Sequence, residues 1–334
     1  MSDYRNIKLD KDLYVGKGFS HNLEQLDPSE NYKGTSLEGL DAFSRQLKRF
    51  DIKISGKNSD VVDKFFSSSQ TAALFPEFVV RAVAGGFDNS QLLSAITAVN
   101  TKIEGLDYRS ISSSFSDPSQ DQAIVSEGNL IPEINIELTN SMVDMHKYGR
   151  MLVSSYEALR FQKIGVLSIA LRQIGEYIAH QQLGDAINVL INGNDGESPC
   201  ESINVTGSLT YADLVDLWNS LGQYNMTTLI VNPAMMPTLL KMTEFRDSVA
   251  GLNFHATGNI ITPLGSQIIR SDYLDENLII AIDRNAALET VQSGDIVVDS
   301  DKLIDRQLER VAITSTCGFN RITADAVKTL VIGD

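Results

Sequence analysis

The histidines are the first candidates for catalysis or metal binding, because imidazole can act as a base or a ligand near neutral pH. There are four, at His21, His146, His180 and His255, and they show no HExxH or other paired-ligand spacing. Glu176 and His180 lie one helical turn apart and could be two ligands, but such a pair more often belongs to a solvated helix face. The histidines therefore predict no metal centre.

Three acidic residues and two glycine-containing segments are the other candidates. Asp295, Asp299 and Asp301 could bind calcium, but the valines between them indicate a strand, and the glycine and last glutamate of an EF-hand are missing. Gly56-Lys57 lacks the earlier glycine and the hydroxyl residue of a phosphate-binding loop. The segment of residues 34–38 lacks the second glycine of a nucleophile elbow and is typical of a helix cap. We therefore predict no catalytic residue, no metal site and no cofactor.

Composition narrows the functional class. The chain has 334 residues, of which 43% are hydrophobic and 21% charged, so it has room for two domains and a sizeable core. Its formal net charge of -15 disfavours nucleic-acid binding, which needs clustered lysine and arginine. Cys200 and Cys317 are too few for a disulfide framework and are predicted to be reduced thiols in a cytosolic setting. The first residues lack the apolar core of a signal peptide, and no apolar run is long enough to predict a membrane-spanning helix.

The N-terminal part of the chain shows only short elements. Residues 1–34 have no helical or strand period and predict an extended arm. A capping box predicts a helix over about residues 35–50, and a second short helix is predicted over residues 60–66. Gly85-Gly86 predicts a break in an apolar region, and the serine-rich residues 110–119 predict a loop.

A polar hairpin is predicted next. Apolar and polar residues alternate over residues 134–138, and a second extended run covers residues 142–153. Two polar strands with little to bury are marginal alone, so they require contact with another molecule or domain. The predicted contact residues are Ile134, Ile136, Leu138, Lys147, Tyr148 and Arg150.

A very long helix follows the second strand. A capping box at Ser154 and Glu157 begins it, and a glycine turn at residues 193–196 ends it. Its apolar stripe recurs every three or four residues, at Ile164, Leu167, Leu171, Ile174 and Ile178. Over residues 155–192 the helix would be about 57 Å long, which is too long for an ordinary small domain.

Residues 208–300 alternate between helix and strand and predict an α/β domain. Thr210 and Asp213 cap a helix, and buried strands are predicted at residues 228–231, 267–270 and 278–282, then a short helix near 286–291 and a strand at 295–298. Residues 307–332 predict long return strands. An α/β enzyme in this region is an alternative function, but it lacks a constellation of acid, base or phosphate-binding groups.

Several short segments occur in an order that is more specific than any one of them. They are residues 125–128, 131–134, 150–153, 155–159, 190–194, 229–233, 265–271, 278–283 and 318–331. In this order, from about residue 70 onward, the chain resembles the major capsid proteins of tailed bacteriophages, which have the Hong Kong ninety-seven type fold.

The resemblance implies an α+β capsid fold with a defined division of the chain. The expected parts are an N-terminal arm with short helices (1–70), the first part of a peripheral domain (71–121), an extended loop (122–150), the peripheral domain with its spine helix (151–207), an axial α/β domain (208–300) and return strands of the peripheral domain (301–334). The extended loop would lie over a neighbouring subunit. The expected function is self-assembly through pentamers and hexamers into an icosahedral shell that encloses double-stranded DNA.

The resemblance also implies partners. A separate scaffolding protein is expected, because only about 70 residues precede the resemblance and the chain begins at Met1; a portal and a decoration protein are further candidates. DNA would be enclosed without sequence-specific binding, and no membrane is involved. The protein would assemble in the bacterial cytoplasm and remain in the virion. The predicted loop tip has no lysine, so covalent cross-linking is not expected. The alternative is an encapsulin-type nanocompartment that encloses a cargo enzyme.

Overall fold

The structure, a computed structural model, describes residues 7–9, 19–90, 92–113, 136–138, 142–194, 197–246 and 261–333. The fold is α+β, as predicted. The helices are α1 (Phe19–Leu26), α2 (Ala42–Arg49), α3 (Ser69–Ala72), α4 (Phe75–Ser90), α5 (Tyr156–Arg160), α6 (Ile164–Asn192), α7 (Tyr211–Ser220), α8 (Met236–Lys241) and α9 (Thr243–Arg246).

The strands are β1 (Thr97–Ile103), β2 (Ile111–Ser113), β3 (Ile136–Leu138), β4 (His146–Ser155), β5 (Glu201–Thr206), β6 (Thr228–Val231), β7 (Gln267–Arg270), β8 (Leu278–Ile282), β9 (Leu288–Leu303), β10 (Leu308–Arg321) and β11 (Val327–Gly333). The chain divides into two compact units, which are described separately. Unit 1 comprises Met1–Ser90, Gly149–Ile178 and Ile296–Thr314, and unit 2 comprises Gln91–Tyr148, Ala179–Asp295 and Ser315–Asp334.

In unit 1 a buried arginine ties the first described helices together. The Arg45 side chain of α2 is fully buried, and its Nε donates to Asp27 Oδ2 at 3.1 Å. Its Nη1 donates to Ser29 Oγ at 2.9 Å, and its guanidinium lies 4.5 Å from the ring centre of Tyr32. Because a buried charge is stable only when it is paired, this network holds the segment between α1 and α2 in place.

Two predictions for this region are wrong. Residues 19–26 form α1 rather than part of an extended arm, because Phe19 and Leu23, one turn apart, are both buried. The next helix, α2, begins after Asp41, later than predicted, because Gly39 has a φ of 81° and a left-handed residue cannot continue a helix. The predicted short helix over residues 60–66 is present as the 3-10 helix Val62–Phe66.

Two glycines lie where α4 crosses the first part of α6. A Cβ on Gly86 would be 2.2 Å from the carbonyl oxygen of Arg172, and one on Gly175 would be 2.2 Å from that of Val83. The backbones of the two helices therefore touch, which only glycine permits. This contact explains why α4 runs unbroken through Gly85 and Gly86, where a break was predicted: packing offsets their low helix propensity.

The long helix predicted after Ser155 is in fact two helices. Short α5 begins after Ser155, and α6 has 29 residues, which corresponds to about 44 Å. Between them Gln162 O accepts from Val62 N at 2.9 Å, and Ile164 N donates to Asp60 O at 2.8 Å. These bonds to a distant segment take backbone groups away from the helical ladder and break the helix.

Unit 2 contains a five-stranded mixed sheet in the order β5-β11-β8-β6-β7. β5 and β11 are parallel, as are β6 and β7, whereas β8 is antiparallel to both of its neighbours. The strands predicted at residues 228–231, 267–270 and 278–282 are confirmed as β6, β7 and β8. The sheet also contains β5 and β11, which lie outside residues 208–300.

Successive residues of the central strands face opposite cores in unit 2. Leu229 and Val231 of β6 pack with Leu217 of α7, whereas Ile230 packs with Ile187 of α6. This alternation is expected of a strand buried on both faces. The sheet therefore has an apolar layer on each side.

The other described strands form a four-stranded sheet, in the order β1-β9-β10-β4, and a two-stranded sheet of β2 and β3. The predicted hairpin is wrong in its pairing: β3 pairs with β2, which begins in the predicted serine-rich loop, and β4 lies beside β10. Residues 288–291, predicted as helical, begin β9, which pairs in parallel with β1. Each error arises because the true partner is distant in sequence. None of the described helices is long and apolar enough to cross a membrane.

Candidate assembly site

Three of the predicted contact residues belong to the first strand of the predicted extended loop. Ile134 lies outside the described residues, as does most of that loop. Ile136 and Leu138 lie in β3, which pairs with β2 along its whole length. This two-stranded sheet flanks residues 114–135 in sequence, because β2 comes just before them and β3 just after them.

A buried carboxylate is bonded to the segment that leads into β2. Glu289 of β9, with 6% of its surface exposed, accepts hydrogen bonds at Oε1 from Thr101 Oγ1 at 2.6 Å and from Tyr108 Oη at 2.8 Å. Its Oε2 accepts from Ser110 Oγ. Burial and the adjacent carboxylate raise the pKa of Tyr108, so this hydroxyl remains a donor. The return segment is tied to the same place, because Val143 N donates to Tyr108 O at 2.9 Å.

Two further predicted residues, Lys147 and Tyr148, lie in the unit 2 part of β4. Tyr148 is half-buried, and its hydroxyl donates to Asp185 Oδ2, which also lies 2.9 Å from His146 Nδ1. Burial and the hydrogen bond to Asp185 raise the pKa of Tyr148. Tyr148 is therefore engaged within the subunit, whereas Lys147 is exposed.

The last predicted contact residue, Arg150, lies in the unit 1 part of β4. Its guanidinium stacks 3.7 Å from the ring centre of Tyr177 on α6, within the range of a cation–π contact. The next strand positions that point the other way, Met151 and Val153, are exposed apolar side chains. Arg150 thus holds the strand to α6, and its neighbours leave an apolar surface uncovered in the single chain.

The start of α6 carries exposed apolar residues that the sequence interpretation overlooked. Val166 and Ile169 lie on one face of the helix, with 54% and 56% of their surface exposed, and Phe161 just before the helix is 76% exposed. The signal was present, since residues 164–171 are apolar nearly all round, which is typical of a helix covered on both sides.

Two of the three acidic residues considered for calcium binding, Asp295 and Asp301, form ion pairs. Asp295 lies 3.0 Å from Lys102 Nζ in unit 2, and Asp301 lies 2.5 Å from Arg310 Nη2 in unit 1. Over the described ranges no group of three or more histidine, cysteine or acidic side chains could hold a metal ion. Among the described residues, the surfaces suited to association are the exposed apolar side chains of β4 and of the start of α6.

Comparison with known families supports the same interpretation. The model of a family described as phage capsid protein matches residues 139–325, which is more than half of the chain. No curated protein matches the chain.

Solved structures share the fold at low sequence identity. A virus-like particle from Pyrococcus furiosus has a TM-score of 0.52 at 16% identity, and the match covers 76% of this chain and 98% of that chain. The capsid of a native GTA particle has a TM-score of 0.54 at 14% identity, covering 73% and 91%. Gordonia phage Cozz has a TM-score of 0.53 at 16% identity, covering 73% and 87%. The predicted Hong Kong ninety-seven type capsid fold is confirmed.

Proposed function

Because the chain belongs to the phage capsid protein family and is a major capsid protein, we propose that it forms the icosahedral shell that encloses the double-stranded DNA of a tailed bacteriophage. The family match over residues 139–325 carries this proposal. A capsid protein acts as one of many copies in an oligomeric shell and is part of the virion. The finer proposal is that these copies form pentamers and hexamers.

The exposed apolar residues of unit 1 support assembly from identical copies. A soluble chain that works alone gains nothing from uncovered Phe161, Val166 and Ile169, whereas a shell subunit buries such residues against a neighbour. We propose that residues 122–150 reach over a neighbouring subunit, that Ile134, Ile136, Leu138, Lys147, Tyr148 and Arg150 contribute to this contact, and that the division into peripheral and axial domains follows the resemblance.

The remaining partners are part of the same proposal. A separate scaffolding protein, a portal and a decoration protein would act with the shell during assembly in the bacterial cytoplasm. The net charge of -15 favours enclosing DNA without binding its phosphates. The protein would have no enzymatic activity of its own.

Electron microscopy of the purified full-length protein tests the proposal. Uniform icosahedral shells are expected from the unmodified chain, alone or with its scaffolding protein. Ile169→Glu should lower the yield of shells at least about tenfold, because a charge would be buried at a contact, whereas Ile169→Leu keeps the apolar surface and should assemble normally. A chain that stays monomeric at high concentration with its scaffolding protein would contradict the proposal.

A second candidate is a nanocompartment that encloses a cargo enzyme. The structural match to the virus-like particle from Pyrococcus furiosus, which covers 98% of that chain, supports this second candidate. The contents of shells isolated from the native host decide between the two: double-stranded DNA supports the phage shell, and a single enzyme without DNA supports the nanocompartment.

A further inference from the structure

A buried acidic side chain accepts hydrogen bonds from hydroxyl groups of β1 and of the segment that leads into β2. The Glu289 carboxylate accepts from three hydroxyls, and over the described residues no lysine or arginine forms an ion pair with it. An ionised carboxylate that is buried without a cation needs several donors to offset the loss of hydration. Burying such a carboxylate costs folding free energy, so we asked what role its location could serve.

The three donors come from two different parts of unit 2. Thr101 lies on β1, which already pairs with β9 through a parallel ladder in which Val99 is opposite Glu289. Tyr108 and Ser110 lie after β1, on the segment that leads into β2. Thr101 therefore adds a bond between strands that are already joined, whereas Tyr108 and Ser110 attach the departing segment to them.

The loop root is defined as residues 108–113 with residues 136–138 and Val143. Its sheet pairs only three residues of β2 with three of β3, which is too short to be stable alone. Val143 is joined to it through the carbonyl of Tyr108. The bonds to Glu289 thus join the loop root through side chains to β9, which is paired with strands on both sides.

We propose that Glu289 is a positioning residue that fixes the loop root on β9, and that shell assembly requires this anchoring. The carboxylate is suited to this task because its two oxygens can accept from Tyr108 and Ser110 at once. The consequence for shell formation rests on the proposed function, whereas the anchoring itself does not.

Hydrogen exchange in the unassembled full-length subunit tests the anchoring. Tyr108→Phe and Thr101→Val each remove one hydroxyl from the same oxygen of Glu289, but Tyr108 belongs to the loop root and Thr101 to β1. We expect amides of residues 108–113 and 136–138 to exchange at least about tenfold faster in Tyr108→Phe than in Thr101→Val. Adding Ser110→Ala should increase this difference further, and amides of β6 and β8 should be unchanged in every variant.

The conservative variant Glu289→Gln tests the anchoring without removing the side chain. Its amide oxygen can still accept from Tyr108 while its nitrogen donates to Ser110, so exchange at the loop root should stay within a few-fold of the unmodified protein, whereas Glu289→Ala should match the double variant. Equal exchange in Tyr108→Phe and Thr101→Val, or faster exchange spread over β6 and β8, would overturn the proposal.

Shell formation is measured separately, by electron microscopy of the same variants. If the unmodified protein forms shells, Tyr108→Phe/Ser110→Ala should give at least about tenfold fewer of them, and Thr101→Val should give normal shells. Normal shells from the double variant would overturn the role in assembly. If the unmodified protein forms no shells, the proposed function fails, and the exchange experiment still decides whether Glu289 anchors the loop root.

Discussion

Two adjacent glycines of α4 should respond in opposite ways to the same substitution. A Cβ on Gly85 would have no heavy atom within 4 Å, whereas a Cβ on Gly86 would lie 2.2 Å from Arg172 O and 3.0 Å from the carbonyl carbon and Cα of Arg172. Both residues are helical, so both substitutions gain helix propensity. Only the second one also forces two backbones apart.

The magnitudes follow from these distances. Gly85→Ala should raise the free energy of unfolding by about 0.5–1 kcal/mol, because alanine loses less conformational freedom on folding. A carbon–oxygen contact normally needs roughly 3.3 Å, so Gly86→Ala requires α4 and α6 to separate by about 1 Å. Overpacking against backbone costs about 3 kcal/mol, which leaves a net loss of about 2 kcal/mol for Gly86→Ala.

Urea denaturation of the unassembled subunit, followed by circular dichroism, measures both variants under identical conditions. Gly175→Ala, which would meet Val83 O from the other helix, serves as an independent replicate and should lose a similar amount. The reasoning is refuted if Gly86→Ala is as stable as Gly85→Ala, since the close approach of the helices would then have no energetic cost.

Four other outcomes are expected. Arg45→Ala should lower the free energy of unfolding by about 3–5 kcal/mol in urea titrations, because it leaves the Asp27 carboxylate buried without its cation. Asp213→Ala should cost about 0.5–1 kcal/mol in the same assay, since the N–H of Thr210 loses its partner at 2.7 Å. Burial raises the pKa of the Cys317 thiol to about 12, so this thiol should resist thiol reagents in the native protein. The unfolded thiol ionises near pH 9.0, so the stability that the buried neutral thiol contributes is present below that pH and should be lost as the pH rises toward 12. This loss should be absent in Cys317→Ala. Raising salt from about 0.05 to 0.5 M should speed shell formation in light scattering, because copies of charge -15 repel one another less when screened.

Local sequence patterns were sufficient to predict the central strands of unit 2 and the start of α7. The strands β6, β7 and β8 have the predicted bounds, and the cap at Thr210 and Asp213 is present. Each of these elements is short, apolar and bordered by turn residues, so the residues next to it in sequence determine it. The fold class was likewise predictable from the order of such elements.

Contacts between distant segments account for the elements that were wrongly predicted. The helix after Ser155 is interrupted because Val62 and Asp60 bond to its backbone, and no residue near position 162 signals this. β3 pairs with β2 and not with the predicted strand at residues 142–153, again because the true partner is more distant in sequence. At the site, Glu289 meets hydroxyls from residues about 180 positions away, as in the bond from Tyr108. Helical periodicity and capping patterns do not reveal such a contact, whereas the exposed Ile169 could have been predicted from the nearly all-apolar residues 164–171.

The two surfaces of α6 explain why this chain needs other copies. Leu167 and Leu171 cover the interior of unit 1, so Val166 and Ile169 add nothing to the stability of a single subunit and expose it to nonspecific association. The net charge of -15 opposes that association at long range but does not cancel a short-range apolar contact. Productive contact therefore requires the correct orientation of two subunits before charge repulsion is overcome.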